Sequence, residues 1–114
     1  MTGKKLETFV GKETVISGDV TLQHSLRVDG RINGKLRSKE DITIGTGASI
    51  KGDVVADIIV IDGDVHGNVY ANKSVHLQTN ARLDGDIHTP KIEMFEGARF
   101  NGAIRMLDEK EKNL

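Results

Sequence analysis

The chain has no cysteine and no tryptophan, and only one proline and one tyrosine occur among its 114 residues. Without cysteine it can form neither disulfide bonds nor thiolate metal sites, and this usage fits a reducing compartment. Its longest apolar run, Ile58 to Ile61, has four residues, whereas a membrane-spanning helix needs roughly 20. We therefore expect a cytoplasmic protein without a spanning helix.

The chain also has little net charge and few aromatic side chains. The 16 basic and 17 acidic residues give a net charge of −1, and aromatic residues make up 4% of the chain. Such a chain has no overall field to attract nucleic acid and few rings on which bases could stack. A phosphate-binding loop of the GxxxxGK[ST] type is missing from the sequence, so we expect neither nucleic acid nor nucleotide nor any cofactor to bind.

What the chain does have is a repeated phrase in which a glycine lies two residues from an apolar residue on each side. Six copies occur, and their glycines are spaced 16, 18, 15, 18 and 17 residues apart. Apolar residues alternate with polar ones within the copies, which is the period of a half-buried strand. The sequence therefore predicts an all-β, single-domain solenoid: a triangular parallel β-helix of about six turns, with roughly three short strands per turn.

The repeat also predicts which residues stack. One inward position should form a column through all turns, namely Ile16, Ile32, Ile50, Val65, Leu83 and Phe100. A shift of 33 residues superimposes two turns on the next two, which predicts that short and long corners alternate. Glycine or Asn80 falls in the long corner, where a positive φ is expected.

The two ends do not follow the repeat. We place a flexible tail at residues 1–8, the β-helix at 9–106 and a charged tail at 107–114. Lys4, Lys5 and Leu6 in the first tail have two interpretations. They are either a solvent-exposed start of the chain or a weak contact with the anionic inner membrane. In that contact the lysines meet lipid headgroups while Leu6 and Phe9 insert.

Three segments resemble the bactofilin family of bacterial cytoskeletal proteins: Val10-Gly11-Lys-Glu-Thr-Val-Ile16-Ser-Gly18-Asp-Val20, Val28-Asp-Gly30-Arg-Ile32-Asn-Gly34 and Glu96-Gly97-Ala-Arg-Phe100-Asn-Gly102. The resemblance covers about residues 8–106. It implies a right-handed triangular β-helix that assembles end to end into filaments without nucleotide. It also implies a scaffold at the inner face of the cytoplasmic membrane for cell-shape and cell-wall-modifying proteins.

The residues at the ends of the coil supply a physical basis for such assembly. A solenoid that stays monomeric covers its open core and strand edges with a polar cap, and no cap is evident here. We therefore predict a polymerisation interface from the large apolar residues at the two ends: Phe95, Phe100, Ile104 and Met106 in the last turn, and Phe9, Val10 and Ile16 in the first. Phe100 is the central candidate, and the other interpretation is that its ring only plugs the coil.

Catalysis and metal binding are not expected. The four histidines, His24, His66, His76 and His88, fall in different columns of the predicted coil, so they cannot form a shared metal site by stacking. No insertion longer than a corner is available to build a substrate cleft. The column after each glycine begins Asp19, Lys35, Asp53, and we interpret its alternating charges as an aid to register.

The sequence thus predicts a homopolymeric scaffold that is not an enzyme. The alternative is a closed binding module, a short β-helical subunit that forms a discrete dimer or trimer and presents a side face to one protein partner. The two hypotheses differ in mass, because a closed oligomer is fixed in size whereas a filament grows with concentration.

Overall fold

A computed structural model describes residues 7–106, and these residues form strands and turns without a helix. Each turn of the coil contains three strand segments. The first turn contains β1 (Glu7–Val10), β2 (Val15–Ser17) and β3 (Val20–Leu22). The second turn contains β4 (Ser25–Val28), β5 (Arg31–Asn33) and β6 (Leu36–Ser38). The third turn contains β7 (Asp41–Ile44), β8 (Ser49–Lys51) and the first half of β9 (Val54–Ile61). Because β1 begins at Glu7, residues 7 and 8 lie in the first strand and not in the tail where we predicted them.

The last three turns follow the same plan. The fourth turn contains the second half of β9, β10 (Asp64–His66) and the first part of β11 (Val69–Leu77). The fifth turn contains the end of β11, β12 (Arg82–Asp84) and β13 (Ile87–Thr89). The sixth turn contains β14 (Ile92–Met94), β15 (Arg99–Asn101) and β16 (Ile104–Met106). Strands β9 and β11 each run through a corner, so they serve two faces of the coil. The described residues therefore confirm the predicted β-helix of six turns.

Successive turns pair in parallel along three faces. The first face contains β1, β4, β7, the second half of β9, the end of β11 and β14. The second face contains β2, β5, β8, β10, β12 and β15. The third face contains β3, β6, the first half of β9, the start of β11, β13 and β16.

The core is a set of stacked columns of aliphatic side chains. The predicted column from Ile16 to Phe100 is confirmed, since each member pairs in register with the next along the second face. Its middle members Ile32, Ile50 and Val65 are fully buried, whereas Ile16 and Phe100 at its ends are only partly buried. Full burial of one such side chain is worth roughly 1.5–3 kcal/mol, so the middle turns are stabilised more than the ends.

The repeated glycines form a second column, and its backbone geometry explains why the phrase needs glycine. The φ angles of Gly18, Gly34, Gly52, Gly67, Gly85 and Gly102 lie between 118° and 152°, a range that other residues rarely adopt. From Gly34 onward, a Cβ atom would also overlap the carbonyl oxygen of the glycine one turn earlier. Gly18, in the first turn, has nothing within 4 Å of that position.

Two predictions about the corners are corrected. Long corners occur in the first, third, fifth and sixth turns, where Thr14, Ala48, Ala81 and Ala98 each donate a backbone hydrogen bond to the residue three positions earlier. The predicted alternation of short and long corners is therefore wrong in the sixth turn, whose corner is long like that of the fifth. Gly47 and Gly97 have positive φ, but Asn80 does not. Its backbone N–H instead donates to Asp62 Oδ1 at 3.1 Å.

The two roles of the glycine column can be separated by substitution. Gly18→Ala should cost about 1–3 kcal/mol of unfolding free energy, because only its backbone conformation is unfavourable for alanine. Gly67→Ala should cost about 1–3 kcal/mol more, because the new methyl group also displaces the backbone of Gly52. Thermal unfolding followed by circular dichroism at matched protein concentration measures both losses. Equal losses would contradict the proposed close approach between turns.

Candidate assembly interface

Within the part of the chain that the structure describes, the sixth turn leaves the end of the core uncovered. Met94 continues the inward column of Leu77, and its exposed fraction is 47% where that of Leu77 is 0%. Ile104 continues the column of Ile87 and is 39% exposed where Ile87 is 0% exposed. Met106 at the chain's last described position is 53% exposed. These side chains are exposed because no other strand among residues 7–106 lies over them.

The backbone of the sixth turn is open in the same direction. Among the described strands, β14 pairs only with β11, β15 only with β12, and β16 only with β13. Their outer N–H and C=O groups therefore form three unpaired edges around the apolar end, and such edges are templates for pairing with another chain.

The two phenylalanines of this end differ in position. Phe100 stacks on Leu83 and packs, partly buried, against the core. Its position is compatible both with a plug and with the centre of an interface. Phe95 lies in the corner after β14, where its backbone N–H donates to the Leu77 carbonyl oxygen at 2.8 Å. Its side chain is among the exposed large apolar residues.

The first turn presents a different end. Ile16 faces the core, as predicted, and is partly buried. Val10 is already buried, so it contributes little to an open end. Phe9 pairs with Arg27 in an outward column, so its exposed ring lies on the side of the coil. The prediction that Phe9 belongs to the apolar end does not agree with this placement.

Three members of the two ends were missed by the sequence analysis. Val20 and Leu22 in the first turn are partly buried against the core, and Met94 in the last turn is exposed. The spacing of 17 residues between Leu77 and Met94 equals the length of one turn, which is the signal that would have identified Met94. Lys4, Lys5 and Leu6, the predicted membrane contact, lie outside the described residues.

The column after the glycines carries hydrogen bonds between turns, and none of the ion pairs within residues 7–106 involves Asp19, Lys35 or Asp53. Carboxylate or amide oxygens of Asp19, Asp53, Asn68 and Asp86 each accept a bond from a backbone N–H in the next turn, at 3.1–3.2 Å. The donor for Asp86 is Ala103, which has no side-chain acceptor of its own. These bonds form a ladder along one corner that is interrupted between the second and third turns, where Lys35 occupies the column, and that ends at the sixth turn.

The histidines make separate contacts and do not converge. His66 Nδ1 lies 3.8 Å from Asp84, His76 Nδ1 lies 3.7 Å from Glu93, and His88 stacks on Tyr70 with ring centroids 4.6 Å apart. Within residues 7–106, no group of three or more ligating side chains is placed to hold a metal ion. The same residues contain no helix long and apolar enough to cross a membrane.

Comparison with known proteins gives two matches. A family model described as "Bactofilin: Polymer-forming cytoskeletal" matches residues 8–105. Among solved structures, the chain is similar to the bactofilin of Thermus thermophilus, described as a cryo-EM reconstruction of double helical filaments. The two share 25% sequence identity over 85% of this chain and 96% of that chain, with a TM-score of 0.79. Comparison with curated proteins gives no match.

The hydrogen-bond ladder can be tested at its last bond. Asp86→Ala removes the acceptor for the Ala103 N–H and should lower the free energy of unfolding by about 0.5–1.5 kcal/mol. Asp86→Asn is the matched control, because Asn68 fills the same role one turn earlier, and it should be close to neutral. Urea unfolding of both variants measures the difference. Equal stabilities of the two variants would show that the carboxylate has no such role.

Proposed function

This chain belongs to the bactofilin family of polymer-forming cytoskeletal proteins, and from that premise we propose that its coils dock end to end through the uncovered sixth turn. The filaments then act as a nucleotide-independent scaffold at the inner face of the cytoplasmic membrane. The observation that carries the proposal is the contrast between the fifth and sixth turns, in which the same columns change from fully buried to half exposed.

Docking relieves two unfavourable features of this end at once. It removes the exposed parts of Met94, Ile104 and Met106 from water, which is favourable roughly in proportion to the apolar area buried. It also gives the open edges of β14, β15 and β16 backbone partners. The contact therefore needs no bound nucleotide to supply free energy.

We propose that the contact is like to like. The inward residues of the two ends differ in exposure, since Met94 and Ile104 in the sixth turn are exposed whereas Ile16, Val20 and Leu22 in the first turn are partly buried. The exposed Phe9 and Val15 of the first turn lie in outward columns. In a two-fold contact, the apolar end meets an equally apolar surface. A filament then grows by alternating a contact between sixth turns with a contact between first turns. The filaments described for the Thermus thermophilus relative support assembly of this kind of coil.

The sides of the coil are left free for partners in such a filament. We propose that they recruit cell-wall enzymes or membrane proteins that set cell shape, and that the chain itself performs no catalysis. The scaffold role is supported by the family, which is a structural one. The repeated sides of a filament would present the same binding surface many times, which raises the effective affinity for clustered partners.

Phe100→Arg tests the interface directly. An arginine at the end of the inward column places a charge where the contact must exclude water, and an unpaired buried charge costs several kcal/mol. We expect the critical concentration for assembly to rise at least about tenfold, as one buried charge would require. Negative-stain electron microscopy and sedimentation, without nucleotide or metal, measure filament formation.

The matched control is Asn101→Arg, which adds the same charge one residue later, on the outward side of the same strand. It should assemble like the parent. Circular dichroism must show that Phe100→Arg keeps its β structure. Small uniform particles from the parent protein would contradict the filament proposal and favour a closed oligomer.

The membrane part of the proposal rests on Lys4, Lys5 and Leu6 and has its own test. Lys4→Glu combined with Lys5→Glu should abolish flotation of the protein with anionic vesicles, because the lysines supply the attraction to the headgroups. The parent should float with anionic vesicles and not with neutral ones. Flotation of the doubly substituted protein at the parent's level would remove this tail from the proposal.

A further inference from the structure

The outer surface of the second face carries two arginines side by side. Arg82 on β12 and Arg99 on β15 are register partners, and both side chains are exposed. Like charges directly opposite each other destabilise a sheet. Among residues 7–106, the ion pairs involve Arg27, His66, His76 and Lys91 and leave both of these guanidinium groups without a carboxylate partner. Asp64 is the register partner of Arg82 on its other side and offsets part of this repulsion, but it forms no close ion pair with either guanidinium group.

Cavities lie on both sides of this pair. The larger, of about 300 Å³, is an open groove that the two arginines share with Asp64, His66, Asp84 and Asn101. The smaller, of about 210 Å³, lies at the adjoining corner and is lined by the same arginines together with Thr79, Asn80 and Gly97. The two guanidinium groups thus stand where a ligand in either cavity would meet them.

We propose that Arg82 and Arg99 bind the phosphate group of a small hydroxyl-rich phosphate monoester, such as a sugar phosphate. A phosphate monoester carries about −1.5 to −2 charges near pH 7, which matches two guanidinium groups. The planar guanidinium fork donates two parallel hydrogen bonds to phosphate oxygens. One dianion between the arginines therefore replaces their mutual repulsion with two attractive contacts.

The rest of the groove selects the remainder of the ligand. Asp64 and Asp84 are carboxylates, which accept hydrogen bonds from hydroxyl groups, and the Asn101 amide can both donate and accept. His66 Nδ1 lies 3.8 Å from the Asp84 carboxylate, and both side chains line the groove. The two carboxylates also repel a single phosphate group, which the two guanidinium groups offset, but an extended polyanion brings further phosphates against them. The site therefore favours a discrete monoester over nucleic acid or an anionic membrane.

The chain contains a matched control for this site. Arg31 lies in the same outward column as Arg82 and Arg99, but its register partners are Val15 and Ser49. It is exposed and has no basic neighbour in that column. Arg31→Gln therefore removes one charge from the same face without touching the arginine pair.

Phosphorus NMR of the ligand tests the proposal on the full chain, because broadening of the ligand signal is observed whether or not the protein is assembled. The probe is glucose phosphorylated on its primary hydroxyl, titrated at low ionic strength. Saturable broadening is expected with the parent and with Arg31→Gln. Arg82→Gln and Arg99→Gln should each weaken binding at least about tenfold, the loss expected for one charge-assisted hydrogen bond. Arg99→Lys keeps the charge but not the planar fork, so its affinity for the probe should lie between that of the parent and that of Arg99→Gln.

Three results would overturn the proposal. Equal broadening with all five proteins would show that the arginine pair is not the site. Binding of inorganic phosphate as tight as that of the sugar phosphate would remove the role of the carboxylates and Asn101. Displacement of the probe by phosphatidic acid vesicles or single-stranded DNA, at lower phosphate concentration than the free monoester requires, would identify a polyanion surface. None of these results bears on filament formation, which the sixth turn determines.

Discussion

Backbone pairing between successive turns is the interaction on which the rest of this structure depends. Parallel strands lie roughly 4.8 Å apart, and this spacing brings each corner against the corner before it. Glycine is required where Gly34 to Gly102 approach the preceding turn, since a Cβ atom would overlap the neighbouring carbonyl oxygen. The same spacing stacks branched aliphatic residues into buried columns, and it places side-chain oxygens of one turn within reach of the N–H groups of the next.

The backbone pairing that stabilises the interior turns also explains why the end of the coil has open strand edges and exposed apolar side chains. Each middle turn is covered on both sides, whereas the sixth turn has open edges and exposed side chains at Met94, Ile104 and Met106. A repeat protein can hide such an end under a polar cap or join it to another copy. This family forms polymers, and in the end-to-end assembly that we propose each junction continues the contact that builds the fold. The fold and the proposed function therefore have one physical origin.

The sequence predicts those positions correctly at which the same kind of residue recurs once in every turn. The column from Ile16 to Phe100 could be predicted because the repeated glycine fixes its register. The prediction failed for Phe9, which precedes the first glycine phrase, and a shift of one residue moves a side chain to the opposite face. The bonds of Asp53 and Asp86 could not be predicted either, because alternation shows that a carboxylate points outward but not which donor it meets. Asn80 keeps a negative φ in a corner where pattern alone favoured a positive one.

A cryo-EM reconstruction of filaments grown from this chain tests the account most directly. The account predicts that sixth turns meet each other across a two-fold axis, with Met94, Ile104 and Met106 buried and the strands of both subunits continuing one another. A junction between a sixth turn and a first turn would contradict the like-to-like contact. Filaments held together through the sides of the coil, with the sixth turn still exposed, would contradict the central claim.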